Sequence, residues 1–360
     1  MTMCPQNTAE AAEIIKAARA DKKAVVPGGR LTRLSQWPDF EKFSGQMVSA
    51  EKMTQVVSVE PENLLAIVGA GLTAAEVAQA LAPAGLCWPV SGQDNRTLGA
   101  MMAEGAVSLE TMAKGPMTDW ILGITFVDPY GRQISSGGRT LKNVSGYDLT
   151  RILWKSWGSL GFATSFILKC LPKPEMSLVV EIPMPDAKAA SAAIQAIIKA
   201  RIFPQGIHAV RQNDGQWAVL VWLVGFDDYI KTQMETMKGV VKDGQFELHQ
   251  DGAAFWQNHQ AAWPLGGATA GSWLGSRNNM IKLLEGLSCE AASIDRADID
   301  VGGGLARFNF SSGQPSVSSD WPSALQKIGY RAEGEIYSKI KNGLDPDDLF
   351  FPASCYPQAG

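Results

Sequence analysis

No stretch of this chain holds 18 consecutive apolar residues, so no helix of it is expected to span a membrane. Histidine is scarce. The three present, His208, His249 and His259, form no H-x-x-x-H pair and stand in no motif with a cysteine, and nothing in their spacing makes them converge. The five cysteines, Cys4, Cys87, Cys170, Cys289 and Cys355, are odd in number and never in a C-x-x-C spacing. Neighbouring residues therefore build neither a zinc nor an iron–sulfur centre, and a reducing, cytoplasmic compartment is expected. There is no G-x-S-x-G elbow and no Walker A loop, which removes acyl transfer and P-loop nucleotide hydrolysis. Lysine and arginine form no block and the net charge is −4, so a nucleic-acid partner is excluded. The opening MTMCPQNTAEAAEIIKAARADKK reads as an amphipathic helix rather than a signal peptide, since it lacks a long apolar core and carries acids early.

What is present suffices for two domains: 360 residues, 46% of them hydrophobic. The organising stretch is residues 137–161, GGRTLKNVSGYDLTRILWKSWGSLG, with five glycines. Gly158 and Gly161 permit positive φ or a close backbone approach. Consecutive free N–H groups in such a loop suit an anion or a polar ring edge. On residue types alone, a Gly-rich hairpin that only shapes the fold stands beside that reading. Residues 149–153 are apolar and helix-compatible, and residues 162–170 form a buried strand stopped by Pro172 and Pro174.

Upstream, a helix over 8–20 leads to a short strand at 24–26, broken by Pro27-Gly28-Gly29. Strands follow at 55–59 and 65–68, Thr73 caps a helix over 74–82, and 121–127 pairs with 133–135 as a hairpin. After Pro174 the order β-α-β-β-α suits a small antiparallel sheet with helices on one face. A helix over 253–263, another over 275–284 and three short strands ending at Phe310 complete that part. Trp256, Trp263 and Trp273 are candidates for a docking surface. Arg211, Arg277 and Arg307 have the chemistry to hold a carboxylate, but surface or structural roles weigh more.

KNVSGYDLTRILWKSWGSLGFATSFILKCLPKPE resembles the signature of the vanillyl-alcohol-oxidase/PCMH flavoproteins, where K-N-x-x-G-Y-D-L precedes G-S-x-G-x-L-G and an L-P-x-P exit. Within that superfamily the chain is most similar to FAD-binding subunits of bacterial glycolate oxidases, over residues 24–175 and, less fully, the last twenty. The resemblance implies an α+β fold: a PCMH-type two-subdomain FAD-binding domain at 1–175, a smaller α/β cap of antiparallel sheet and helices at 176–330, and a tail at 331–360 packing back on the first domain. It implies a pyrophosphate loop at Pro27, Gly28, Gly29, Arg30, Leu31 and Thr32, where Arg30 replaces a usual glycine and Leu31 a usual Ser/Thr. It implies a second loop at Ser91, Gly92, Thr97, Leu98, Gly99 and Met102, whose helix N-terminus faces the cofactor. Gly115 and Asp119, then Gly158, Ser159, Gly161, Phe162 and Thr164, complete the implied site. A strand-start cap is an equal reading of Asp119.

FAD is expected to be non-covalent, since no histidine lies in 1–175 and Cys87 suits a small core residue. The family's late H-x-x-D-G-N-x-H block is missing, DVGGGLARFNF standing in its place, so no catalytic residue and no metal ligand is assigned. The implied role is the FAD-binding subunit of a glycolate oxidase-like 2-hydroxyacid dehydrogenase complex. It would work beside a second flavoprotein and an iron–sulfur subunit, in the cytoplasm or at the inner face of the membrane through those partners. A stand-alone FAD oxidoreductase and a scaffold paralogue that has lost FAD are the alternatives. Alone, the chain is expected not to oxidise a hydroxy acid.

Overall fold

The computed structural model describes all residues except 1, 32–42, 44, 92–94, 141–148, 213, 243, 262–269, 288–293, 311–325, 328–334 and 351–360. The chain forms two compact units. One comprises Met1–Ala106, Pro116–Lys173 and Gly329–Gly360; the other comprises Val107–Gly115 and Pro174–Ile328.

The first unit begins with β1 (Thr2–Met3), α1 (Thr8–Ala20), β2 (Val25–Gly28) and β3 (Gln46–Ser49). The three strands form a parallel sheet in the order β1-β3-β2. Asn7 caps α1 by accepting the Glu10 N–H, and Ala11, Ile15 and Ala18 bury one face of the helix against Val25, Val48, Val127 and Phe162. Phe350 joins this cluster, and the Val25 N–H donates to the Leu349 carbonyl at 2.7 Å.

Next come β4 (Val56–Glu60), β5 (Leu65–Gly69), α2 (Ala74–Leu81), β6 (Leu86–Cys87), α3 (Leu98–Glu104), β7 (Ile121–Val127), β8 (Gln133–Gly137), β9 (Phe162–Lys169) and β10 (Leu171–Pro172). Five of these strands make an antiparallel sheet ordered β4-β5-β9-β7-β8. Inward residues of β5, β7 and β9 meet α2 and α3 in one core containing Val68, Val77, Leu98, Met101, Ile124 and Phe166. Residues 150–155 are successive turns rather than the helix their apolar run suggests. Lys155 and Trp157 have φ of 59° and 53°, which no right-handed helix continues through, so Leu153 reaches the core from a turn.

The second unit holds α4 (Thr111–Lys114), β11 (Met176–Met184), α5 (Ala187–Lys199), β12 (Gly206–Arg211), β13 (Trp217–Gly225), α6 (Asp227–Val240), β14 (Glu247–His249), α7 (Gly252–Ala261), β15 (Ala270–Leu274), α8 (Arg277–Gly286), β16 (Ile294–Asp300), β17 (Leu305–Phe310) and β18 (Gln326–Lys327). Its sheet runs β14-β11-β13-β12-β16-β17-β15-β18, antiparallel at every pairing. Side-chain alternation splits it into two faces. Val180, Ile207, Val219 and Ile299 pack on α5, α6 and α8; Val179, Val210, Leu220 and Trp222 lie on the other face with Trp256 of α7. Both faces are covered, which is why β13 reads WAVLVWLV without a polar position. The order of strands around α8 differs from the reading of 275–310. β15 precedes the helix, Ser276 caps it through the Asn279 N–H, and β16 and β17 follow up to Phe310 among the described residues. α9 (Glu335–Leu344) returns to the first unit.

Phe166 sits fully inside the first unit's core, at 1% exposure. Phe166→Ala is expected to destabilise this unit by about 3–5 kcal/mol, from lost burial and the cavity left behind. Denaturant unfolding followed by tryptophan fluorescence measures it.

Candidate functional site

The glycines of the first unit bring three segments together. An ideal Cβ on Gly29 would lie 2.2 Å from Thr97 Oγ1, so the turn after β2 rests directly on the cap of α3. Gly158 has φ of +80°, and its Cβ position is 3.2 Å from the Pro27 carbonyl oxygen. Segments 27–31, 97–104 and 155–161 therefore touch through backbone. Further bonds tie them: Ser49 Oγ donates to the Gly29 carbonyl at 2.7 Å, and the N–H groups of Lys155 and Trp157 donate to Met102 and Ala103 at 3.2 and 2.9 Å.

Where the donors lie is less expected. The first-turn N–H groups of α3 are already used: Leu98 on the Leu72 carbonyl, Gly99 on Ala70, Ala100 on Thr97 Oγ1. These three N–H groups are thus taken up within the described residues. In contrast, the N–H groups of Gly29, Gly158, Leu160 and Gly161, all buried residues, meet no acceptor among the described residues. Buried orphan N–H groups are rare in folded proteins, and a cluster of them in two adjoining turns fits an electron-rich ligand.

Arg30 turns away from this turn. Its Nη2 donates to Glu76 Oε1 at 2.9 Å, while Glu76 also closes the capping box of α2 with Thr73. Burial alone would raise the Glu76 pKa, but the Thr73 bonds and Arg30 hold it below its ordinary value.

The other expected site residues divide. Leu98 and Met102 spend their side chains in the core, and Phe162 packs beside α1. A Cβ on Gly161 would meet Phe126 and Leu153, which are core side chains. Ser159 Oγ donates to the Ser156 carbonyl, and Thr164 Oγ1 donates to Thr125 O at 3.1 Å. Asp119 accepts from Arg151 at 2.8 Å on an exposed surface. Gly115 ends α4, in the second unit, with φ of +77°. Ser91 is half-buried. Thr32, Gly92 and the motif residues 142–148 lie outside the described residues. Cys87 Sγ donates to the Pro172 carbonyl at 3.6 Å, as a small β6 residue would. Cys170 is sealed in the core, and burial pushes its thiol up to about 12.

The second unit holds a cluster that residue spacing did not foretell. His208 on β12 places Nδ1 2.7 Å from Asp298 Oδ1 on β16. His259 on α7 places Nε2 3.3 Å from Asp298 Oδ2, and Arg307 on β17 donates to the same oxygen. Asp300 Oδ1 lies 3.8 Å from His208 Nε2. Trp256 lies against both histidines, at 4.5 and 5.3 Å between ring centroids. Two histidines thus converge on one carboxylate, against expectation. Arg307 is buried, not superficial, and Trp256 and Trp273 are core residues at 2% and 4% exposure, so neither forms a docking surface. Trp263 lies outside the described residues. Strand alternation was the available signal, since Asp298 and Asp300 are two apart and share a face.

Burial opposes charge on Asp298, yet Arg307 and His208 outweigh it and keep its carboxyl well below the ordinary range. Burial likewise opposes charge on His208, and Asp298 with Asp300 overcomes it, raising the imidazole pKa. Burial dominates at Asp300 and raises its pKa. The third histidine, His249, pairs with Glu181 at 2.9 Å. With Glu247 these offer ligand atoms within 4.8 Å of one another.

With this geometry in view, the comparisons are specific. Residues 1–137 match the FAD binding domain family. The chain is 29% identical over 251 residues to the glycolate oxidase subunit GlcD of Bacillus subtilis (strain 168), covering 68% of this chain and 52% of that one. It is 32% identical over 210 residues to a D-lactate dehydrogenase of Archaeoglobus fulgidus, covering 58% and 47%. The chain spans about half the length of these two relatives. To the glycolate oxidase subunit GlcE of Escherichia coli (strain K12) it is 26% identical over 333 residues, 88% of both chains. Among solved structures, alkyldihydroxyacetonephosphate synthase has a TM-score of 0.72 at 16% identity, over 98% of this chain and 76% of that one. This likeness is one of fold alone. The fold is that of the PCMH-type FAD-binding proteins. Residues 1–137 carry the FAD-binding domain, with FAD as its cofactor, and the chain is similar to glycolate oxidase subunits.

Raised above its unfolded value of about 6.5, His208 contributes stability that is complete below that pH and lost as pH rises through the folded value. His208→Gln is therefore expected to lower the melting temperature at pH 6, with the difference from the parent chain narrowing toward pH 9. Calorimetry across that range is the check.

Proposed function

We propose that this chain is the FAD-binding subunit of a glycolate oxidase-like complex that dehydrogenates a small 2-hydroxy acid. The observation that carries the reading is the group of N–H donors of the buried residues Gly29, Gly158, Leu160 and Gly161, which meet no acceptor among the described residues, within an FAD-binding fold. Similarity to GlcE along 88% of both chains supports the subunit role. FAD, when bound, supplies the acceptor for the hydride and electrons of the substrate.

The residues of the chain bind and orient it. The turn at 27–31, fixed by Ser49 and by Arg30–Glu76, presents the Gly29 N–H. The turn at 158–161 presents the others. The retained Gly28-Gly29 pair and the diversion of Arg30 to Glu76 favour a loop that still loads FAD over a scaffold that has lost it. The association is non-covalent, since no histidine lies in residues 1–175 and Cys87 is engaged with Pro172. The chain has no C-x-x-C, so electrons leave through a second flavoprotein and an iron–sulfur subunit.

Purification of the tagged chain from its own host tests this: a yellow complex with both partners is expected, and a colourless chain that emerges alone refutes it. Acid precipitation should release all flavin to the supernatant; colour left in the washed pellet contradicts non-covalent binding. Gly29→Ala drives a methyl into Thr97 and shifts the turn, so FAD should bind roughly tenfold or more weakly, the loss of about one charge-assisted hydrogen bond. Cys87→Ala should load normally. Quenching of flavin fluorescence on titration reads both variants.

A further inference from the structure

Strand alternation places Glu247 and His249, two residues apart on β14, on one face of the second unit's sheet. The register of β14 on β11 sets Glu181 directly opposite Glu247 and Val179 opposite His249, so Glu181 projects from that same face. Like charges directly opposite one another destabilise a strand pair. Among the described residues no lysine or arginine pairs with either carboxylate. Arg211 and Arg296 share a cavity wall with Glu181, yet neither forms an ion pair with it. The one basic group at hand is His249, whose Nε2 lies 2.9 Å from Glu181 Oε2. Gln212 Nε2 donates to the other oxygen, Oε1, at 3.1 Å. The Glu247 carboxylate has no hydrogen bond among the described residues.

One nitrogen of His249 and one oxygen from each carboxylate lie within 4.8 Å of one another. Around a tetrahedral zinc ion with bonds of about 2.0–2.2 Å, two ligand atoms stand roughly 3.4 Å apart. The Glu181–His249 contact is already inside that spacing, and the exposed Glu247 side chain closes the rest by rotation. Phe255 of α7 packs on the imidazole, 4.5 Å between ring centroids, and holds its plane. The side chains of His249 and Glu181 are 34% and 16% exposed, and β14 begins the strand order of its sheet. An ion therefore reaches all three groups from solvent without the fold opening. Glu181 and His249 are 68 positions apart, so no motif of neighbouring residues announces the cluster.

We propose that Glu181, Glu247 and His249 form a site for one divalent transition-metal ion of the zinc type, with water filling the remaining position. Imidazole beside carboxylates selects such ions over magnesium and calcium, whose shells are built of oxygen. The ion takes the place of the proton held between His249 Nε2 and Glu181 Oε2, and that proton leaves to solvent. It neutralises the two facing carboxylates and ties β14 to β11 through side chains as well as backbone. Gln212 is a positioning residue, since it orients Glu181 from outside the ligand set.

The untagged full-length chain, stripped with EDTA and labelled with ¹³C-histidine, is titrated with Zn²⁺. Its three histidines give three imidazole signals, and His249→Gln and His259→Gln assign them. The His249 signal should move and saturate at a single equivalent of Zn²⁺, while those of His208 and His259 stay in place. Mg²⁺ at the same concentrations should leave all three where they are. Glu247→Gln, a change at an exposed side chain, should weaken Zn²⁺ binding by roughly tenfold or more, at least the loss that follows removal of an outer-shell partner. The His208 and His259 signals of that variant should match the parent chain, which reports an intact fold. A His249 signal that stays still under Zn²⁺ overturns the proposal, whatever zinc the cysteines take up. So does a shift of equal affinity in the Glu247→Gln chain, which marks an adventitious contact with one histidine.

Discussion

A buried polar group must find a partner, and that constraint shapes both units of this protein. Leaving a donor or acceptor unpaired away from water costs more than most single contacts return. In the first unit the N–H groups opening α3 meet the demand internally, taken up by Leu72, Ala70 and Thr97. The N–H groups of Gly29, Gly158, Leu160 and Gly161 meet no acceptor among the described residues. They sit in turns pressed together by absent side chains, Gly29 on Thr97 and Gly158 on Pro27.

The second unit solves the opposite problem, an excess of buried charge. Asp298 has two oxygens and three claimants, His208, His259 and Arg307. Removing any one claimant leaves the rest to be satisfied at higher cost, because a buried charge without its partner is strongly destabilising. The cluster is therefore poor evidence of a stabilising device. Sheet and helix cooperate in building it: β12, β16 and β17 supply the strand residues on one face, and α7 lies across that face to bring His259 and Trp256 down onto them.

Much of the fold was legible in the sequence because periodicity and caps are local. The Thr73 cap, the hairpin of β7 with β8, and the β-α-β-β-α run from β11 to α6 all follow from short-range pattern. The glycine turns were legible as turns for the same reason. Residues 149–153 misled because apolar spacing cannot reveal that Lys155 and Trp157 adopt positive φ. The histidines misled more deeply. His208 and Asp298 are 90 positions apart, and only the placement of β16 beside β12 brings them within 2.7 Å. Arg307 was given a surface or structural role; its burial follows from a hairpin register that puts it opposite Asp298.

Arg30 shows how a departure from a family pattern is absorbed. A side chain replaces a glycine where a turn must stay open, and Leu31 behind it takes φ of 58°, a left-handed conformation usually left to glycine. Two arrangements make this tolerable. The Leu31 side chain folds into the space beside Gly28, which has no Cβ to obstruct it. Arg30 is drawn outward by Glu76, a residue that the capping box of α2 already holds in one rotamer through Thr73. An ordered carboxylate is a better anchor than a mobile one, since less side-chain entropy is lost in forming the pair. The exposed salt bridge adds little stability by itself. Its consequence is steric: the guanidinium is kept off the turn.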